Sequence, residues 1–451
     1  MVVTAWLAGL RRPVDRSDLR VCGWHHPVAH HAGRSPQSTG LWLSAARTTA
    51  TPYDLRVSTP EPPQPLPGAR LLFTLDQSVA HLDHGSFGAT PLQVRRAQRR
   101  LLDELDANPA RFFGPALAER LAHTRRHLAG FVGADPDACA CITDVGVGVA
   151  VVLRSLGLRA DDEIITTDHG DAAVATMVDQ AWQETGARHR IAALALGADR
   201  AAVVTAVRAA LTARTRLVIV DQVTARTAKL LPVADVVRIV QDHGAAVLVN
   251  AGGVPGNVPA KVAAVGADFW VGSLHTWAFA PRPCSLLAVA EPWRGRIRPL
   301  VASCRAETGY PAHVESRGLD ATSWLAAPAG LFLLRSVGID TVRAHNAALA
   351  AYGQWVVGHA LGLDRSDLPG SGGAVELPMR IVPLPPGTAD QATSALRLRQ
   401  RISEELGVEV GVGAWRGRGL LRLSAQIYNR GEEYDQLADR LPALLSRAAR
   451  C

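Results

Sequence analysis

Asp268-Phe-Trp-Val-Gly-Ser-Leu-His275-Thr276-Trp277-Ala-Phe-Ala-Pro281 is the stretch from which the fold can be read. Its first half is a short apolar, β-prone run, the pattern of a buried strand. It ends in a polar turn carrying an imidazole and a hydroxyl. Apolar segments of the same kind recur on the N-terminal side, at 140–142, 163–166, 217–220 and 246–249. Helical patterns fall between them, for example at 201–213 and 233–243. Continuous apolar strands separated by crossover helices specify an α/β fold, with a mostly parallel sheet covered on both faces. Ligands in such folds sit at the carboxyl ends of the strands. The unusual polar residues of this chain cluster at those ends.

This large domain is expected over 67–330. Residues 331–451 read as a smaller α+β domain, with helices at 343–360, 392–406 and 432–447 and strand-like runs at 379–385, 408–412 and 419–429. Residues 1–66 lack a sustained hydrophobic period and lead into a Pro-rich run, so they read as a poorly ordered extension. His25, His26, His30 and His31 fall in this segment without flanking structure to make a metal site of them.

Composition excludes several classes. The chain has 451 residues, 48% of them hydrophobic and 20% charged, which suits a water-soluble globular protein with a sizeable core. No apolar run reaches the roughly 18–20 residues of a membrane span. The N-terminus has its charges after a short apolar run, the wrong order for a signal peptide, so a cytoplasmic location is expected. The net charge of +7 is spread along the chain, and its densest basic stretch, 95–100, reads as a solvated helix face rather than a nucleic-acid patch. The six cysteines are scattered, and Cys139-Ala-Cys141 is too tightly spaced for a usual zinc pair, so no metal site is expected. The chain contains only two lysines, Lys229 and Lys261.

Two further segments carry a signature. Ser78-Val-Ala-His-Leu-Asp83-His84-Gly85-Ser86-Phe87-Gly88 is a short strand running into a Gly-rich turn, and Arg422-Leu-Ser-Ala-Gln-Ile-Tyr428-Asn429 lies near the C-terminus. With the 268–281 stretch, they make the chain resemble the class V aminotransferase-fold enzymes, the isopenicillin N epimerase-like group of pyridoxal phosphate (PLP) proteins. The resemblance covers about 68–450. It implies PLP-transferase fold type I and dimers whose sites are shared across the interface. It also implies specialised amino-acid metabolism, as an epimerase, aminotransferase or lyase.

The resemblance assigns roles residue by residue. Arg422 would bind the α-carboxylate of an amino-acid-like substrate, since a planar bidentate donor suits that group. The loop bearing His84, Ser86 and Phe87 would form the substrate mouth, with Asp83 where Asn is usual. Phe112, which would be core on the bare sequence, becomes a wall of the pocket. The imine-forming lysine is replaced by Thr276, and a hydroxyl cannot form an imine. Asn250 stands where a carboxylate normally pairs with the ring nitrogen, and Gly253 where a His follows it. The phosphate turn has Gly146 for a hydroxyl residue and adds the charge of Asp144. A second phosphate contact, normally from the partner subunit, falls on 316–320 without its threonine. Asp171 stands where an aromatic would stack on the ring, leaving His169 as the candidate. Gln222 replaces a His beside Thr224.

Five departures in one site argue against ordinary PLP binding, while the retained shell argues for a working pocket. Three readings follow. One is an enzyme with PLP-independent chemistry using His275, His169, Asp144 or Asp171 as proton carriers. Another is a non-catalytic homodimer or a subunit paired with an active paralogue. The third is conventional PLP chemistry on another lysine, with Lys229 the better placed.

Overall fold

The computed structural model describes residues 60–301, 309–315, 320–373 and 375–448. The four N-terminal histidines and the 316–319 stretch lie outside the described residues. From residue 60 onward the chain forms one compact unit.

Twelve strands are present among the described residues. They are β1 (Ala80–His81), β2 (Cys139–Ile142), β3 (Glu163–Thr167), β4 (Arg188–Ala192), β5 (Thr215–Asp221), β6 (Ala246–Asn250), β7 (Phe269–Ser273), β8 (Ser285–Val289), β9 (Met379–Pro383), β10 (Val408–Glu409), β11 (Gly411–Trp415) and β12 (Arg418–Ser424). Seven form the main sheet in the order β2-β8-β7-β6-β5-β3-β4. The run from β7 to β4 is parallel, and β8 is antiparallel to both its neighbours.

The apolar runs explain this sheet. Every residue of β5 except Arg216, and every residue of β6 and β7, is buried. Successive side chains of a strand point to opposite faces. Val218, Val220, Val247 and Val249 accordingly feed one core, and Leu217, Ile219, Ala246 and Leu248 feed the other. Both faces are covered, as parallel sheets require.

The smaller domain is built on the antiparallel sheet β11-β12-β9. Its core includes residues of the long helix Ile339–Ala360 and the C-terminal helix Gly431–Ala448. The helix Thr322–Val337 packs on the helices Leu92–Ala107 and Ala116–Val132. The N-terminal strand β1 pairs with β10 of the small domain. Part of the Pro-rich run also packs: Leu66 lies on a core cluster with Phe73 and Tyr428, and Pro62 faces Gly431. No single helix among the described residues is long and apolar enough to cross a membrane.

Candidate functional site

The neighbouring strands β5, β6 and β7 end in Asp221, Asn250 and Ser273; Asp221 is in direct register with Asn250, and Ser273 lies just beyond Val271, the register partner of Asn250. Beyond Ser273 the chain enters the 274–280 turn. Leu274 N–H donates to the Cys284 carbonyl at 2.9 Å, and Ala280 N–H returns to Leu274 O at 3.1 Å. Three glycines bear on this turn. A Cβ on Gly88 would lie 2.6 Å from His275 O, one on Gly256 2.3 Å from Trp277 O, and one on Gly330 2.6 Å from Phe279 O. Gly88 and Gly256 also have positive φ, which glycine adopts without strain.

A cavity of about 410 Å³ opens at these strand ends. His275, Thr276, Asn250, Gly253, Asp144 and Gly146 line it from the large domain, together with Asp171, Asp221 and Ser273. Ser86 and Phe87 of the mouth loop and Arg422 of β12 close its other side. No lysine is among its lining residues.

Each carboxylate is held differently. Asp144 Oδ1 accepts from Val147 N–H at 3.0 Å, capping the helix Val145–Ser155. Asp171 caps the helix Ala172–Thr185 through Ala173 N–H at 2.8 Å. Asp221 is buried and accepts from Asn250 Nδ2 at 2.8 Å. Burial, with the nearby Asp171 charge adding to it, raises its carboxyl to about 8. Asp221 is therefore mostly a neutral acid near pH 7.

His275 places Nδ1 3.1 Å from the carbonyl oxygen of Cys284 and 3.2 Å from its N–H, so either tautomer finds a partner. Its Nε2 has no partner among the described residues. Burial, reinforced by the Arg282 charge, lowers its pKa and favours neutral imidazole. Ser273 is buried, and its hydroxyl has no hydrogen-bond partner among the described residues.

Arg422 is already engaged. Its Nη2 donates to Asp83 Oδ1 at 2.7 Å and to Ser86 Oγ, and its Nη1 donates to Ala225 O at 2.6 Å.

Other residues singled out in the sequence fall outside the cavity lining. His84 is buried behind the turn, its ring 4.7 Å from Trp277. Burial lowers its pKa to about 4, so the ring is neutral. Nε2–H donates to Thr276 O at 2.8 Å, and Nδ1 accepts from Tyr428 O–H at 3.0 Å. The residue thus supports the turn rather than facing the cavity. Phe112 sits in the large core, edge-on to Phe113, as its bare sequence suggests. His169 is fully buried and edge-on to Trp415. Burial lowers its pKa, and a closed chain of hydrogen bonds holds it. Lys229 N–H donates to Thr224 Oγ1 (2.9 Å), which pairs with Thr227 Oγ1 (2.8 Å), which meets His169 Nδ1 (2.7 Å). Nε2 is 3.1 Å from Leu194 O, so both ring nitrogens are occupied. Gln222 is buried, its backbone N–H bonded to Asn250 O.

Neither lysine reaches the cavity. Lys229 Nζ donates to Leu196 O at 2.6 Å and Ala198 O at 3.0 Å, while Lys261 is exposed at a helix start.

Two site residues carry a sequence signal that the motif comparison passed over. Asp221 and Ser273 are the polar residues that directly end the apolar strands β5 and β7, where a parallel sheet presents its ligand-facing groups.

The fold is that of the PLP-transferase type I proteins. The apo structure of cysteine desulfurase from Thermococcus onnurineus NA1 superposes with a TM-score of 0.70 at 16% identity, over 86% of this chain and 100% of that one. The complex of the cystine C-S lyase C-DES with its product cysteine persulfide gives 0.65 at 19% identity, over 83% and 98%. The aminotransferase class-V family model matches residues 81–360, and the chain belongs to that family. Among its relatives, isopenicillin N epimerase of Streptomyces clavuligerus is 29% identical over 401 residues, 83% of this chain and 97% of the relative. A probable chloroplastic L-cysteine desulfhydrase of Arabidopsis thaliana is 25% identical over 415 residues, 83% of this chain and 85% of the relative.

Proposed function

We propose that this class V aminotransferase-fold protein binds a small amino-acid-like carboxylate at the strand ends and acts on it without a PLP imine. The observation that carries this reading is the absence of a lysine from the cavity, with the Lys229 amine held on two backbone carbonyls outside it. An imine needs a free amine within reach, and Thr276 offers a hydroxyl.

The remaining groups do not fit PLP either. Asn250 is neutral, and its amide is given to Asp221, so it cannot hold a proton on a ring nitrogen. The start of the helix Val145–Ser155 would otherwise attract a phosphate. Its Val147 N–H is instead taken by Asp144, whose charge opposes a second anion.

Arg422 and Ser86 would receive the ligand's carboxylate by exchange for Asp83. His275 Nε2 and the neutral Asp221 carboxyl are the groups suited to accept and donate a proton across the cavity. A conventional PLP enzyme using Lys229 would have to break both carbonyl contacts and carry the amine to the cavity. The same pocket would also serve a ligand-binding subunit of a homodimer or of a pair with an active paralogue. Turnover by the purified protein alone separates that reading from the enzyme.

The test is an absorbance spectrum of the purified protein with added PLP, before and after borohydride, followed by peptide mass analysis. The reading expects no retained band and no adduct. A band that borohydride fixes onto Lys229 or Lys261 restores PLP chemistry.

A further inference from the structure

A second cavity of about 230 Å³ adjoins the first, sharing Ser86, Asp171, Ala225 and Arg422 with it. Arg226 and Arg399 are on its wall, and Asp83 lies beside them. Gly413 leaves open space, with nothing within 4 Å of an added Cβ.

The three guanidiniums are not equivalent. Arg422 has both terminal nitrogens engaged, by Asp83, Ser86 and the Ala225 carbonyl, while its Nε has no partner among the described residues. Arg399 has one distant ion pair, 3.9 Å to the second oxygen of Asp83, and lies over the Phe87 ring. Arg226 is half-buried and makes no hydrogen bond or ion pair among the described residues. A ligand carboxylate that displaces Asp83 from Arg422 leaves Asp83 to Arg399. Arg226 still has no hydrogen-bonded or ion-paired counter-charge among the described residues, although Asp171 shares its cavity wall and Asp221 lies within electrostatic range. A half-buried guanidinium at a cavity wall presents a planar fork of donors that matches a carboxylate.

We propose that Arg226 receives a second acidic group of the ligand, so that the substrate class is a dicarboxylic amino acid or an amino acid extended by an acidic tail. This rests on the reading of Arg422 as the contact for the first carboxylate. The α-carboxylate end lies at Arg422 and Ser86, and the second acid reaches past Ala225 into the smaller cavity.

The test is calorimetric titration at fixed salt of two isosteric pairs, L-glutamate against L-glutamine and L-aspartate against L-asparagine. The acid of at least one pair is expected to bind about tenfold more tightly than its amide. Arg226→Gln is expected to bring that ratio towards one. Equal binding of acid and amide in both pairs overturns the second subsite and leaves the Arg422 reading standing. Failure of all four to bind overturns both. A ratio that survives Arg226→Gln, in a variant that melts like the parent, removes Arg226 from the role. The wild-type ratio needs no variant, so a poorly folding substitution does not obscure the outcome.

Discussion

Asp83 Oδ1 lies 2.7 Å from Arg422 Nη2, joining the mouth loop to the small-domain strand β12 across the cavity. The pair supplies, from within the protein, the carboxylate that the arginine would otherwise take from a ligand. Both side chains are largely withdrawn from water, at 5% and 13% exposure, so solvent screens the contact little.

Asp83→Asn should therefore strengthen the binding of simple amino-acid carboxylates, by about tenfold, because the competing charge is removed while the amide keeps one hydrogen bond. Titration of the variant and the parent with L-alanine checks this. Unchanged affinity would show that Asp83 does not compete.

Asp221 makes stability depend on pH in a defined direction. Its carboxyl titrates near 3.8 when unfolded and at about 8 when folded. Between those values the folded state holds the extra proton, so stability falls as pH rises through the window. Asp221→Asn should abolish this contribution. Melting temperatures from pH 4 to 9 should show the parent losing stability relative to the variant as pH rises, with the difference levelling off above about pH 8. A constant difference would contradict the assignment.

His84 titrates with the opposite sign. Its folded pKa of about 4 lies below the ordinary 6.5, so its contribution is lost as pH falls from about 6.5 to 4. His84→Ala also removes the Thr276 and Tyr428 contacts and opens a void against Trp277. The expected cost is about 3 kcal/mol, read from denaturant unfolding.

Gly88→Ala should perturb the cavity without changing any polar side chain. The new methyl would need a φ of 73° and would overlap His275 O and Thr276 Cα. The expected loss is about 1–3 kcal/mol, with altered quenching of Trp277 fluorescence as the turn shifts. A variant as stable as the parent would mean that the turn yields readily.

Much of the main sheet could be read from the sequence because parallel strands buried on both faces must be continuously apolar, as at Leu217–Val220. The site was legible only where a residue ends such a strand or belongs to a motif, as with Thr276, Asn250 and Arg422. Whether a side chain faces the cavity is settled by packing across the chain. In sequence His169 looks like a proton carrier and His84 like part of the substrate mouth, but Tyr428, Thr227 and Leu194, distant in sequence from them, occupy ring nitrogens of these two residues. The role proposed for Arg226 was likewise hidden, because the lack of a hydrogen-bond partner among the described residues is not a property of any sequence window.

The backbone contacts of Gly88, Gly256 and Gly330 around residues 275–279 act on main-chain atoms. They hold the turn in place whatever side chain position 276 carries. Architecture and reactivity are thereby uncoupled at this one position. A change of side chain at 276 would therefore leave the recess formed and free to serve a different chemistry.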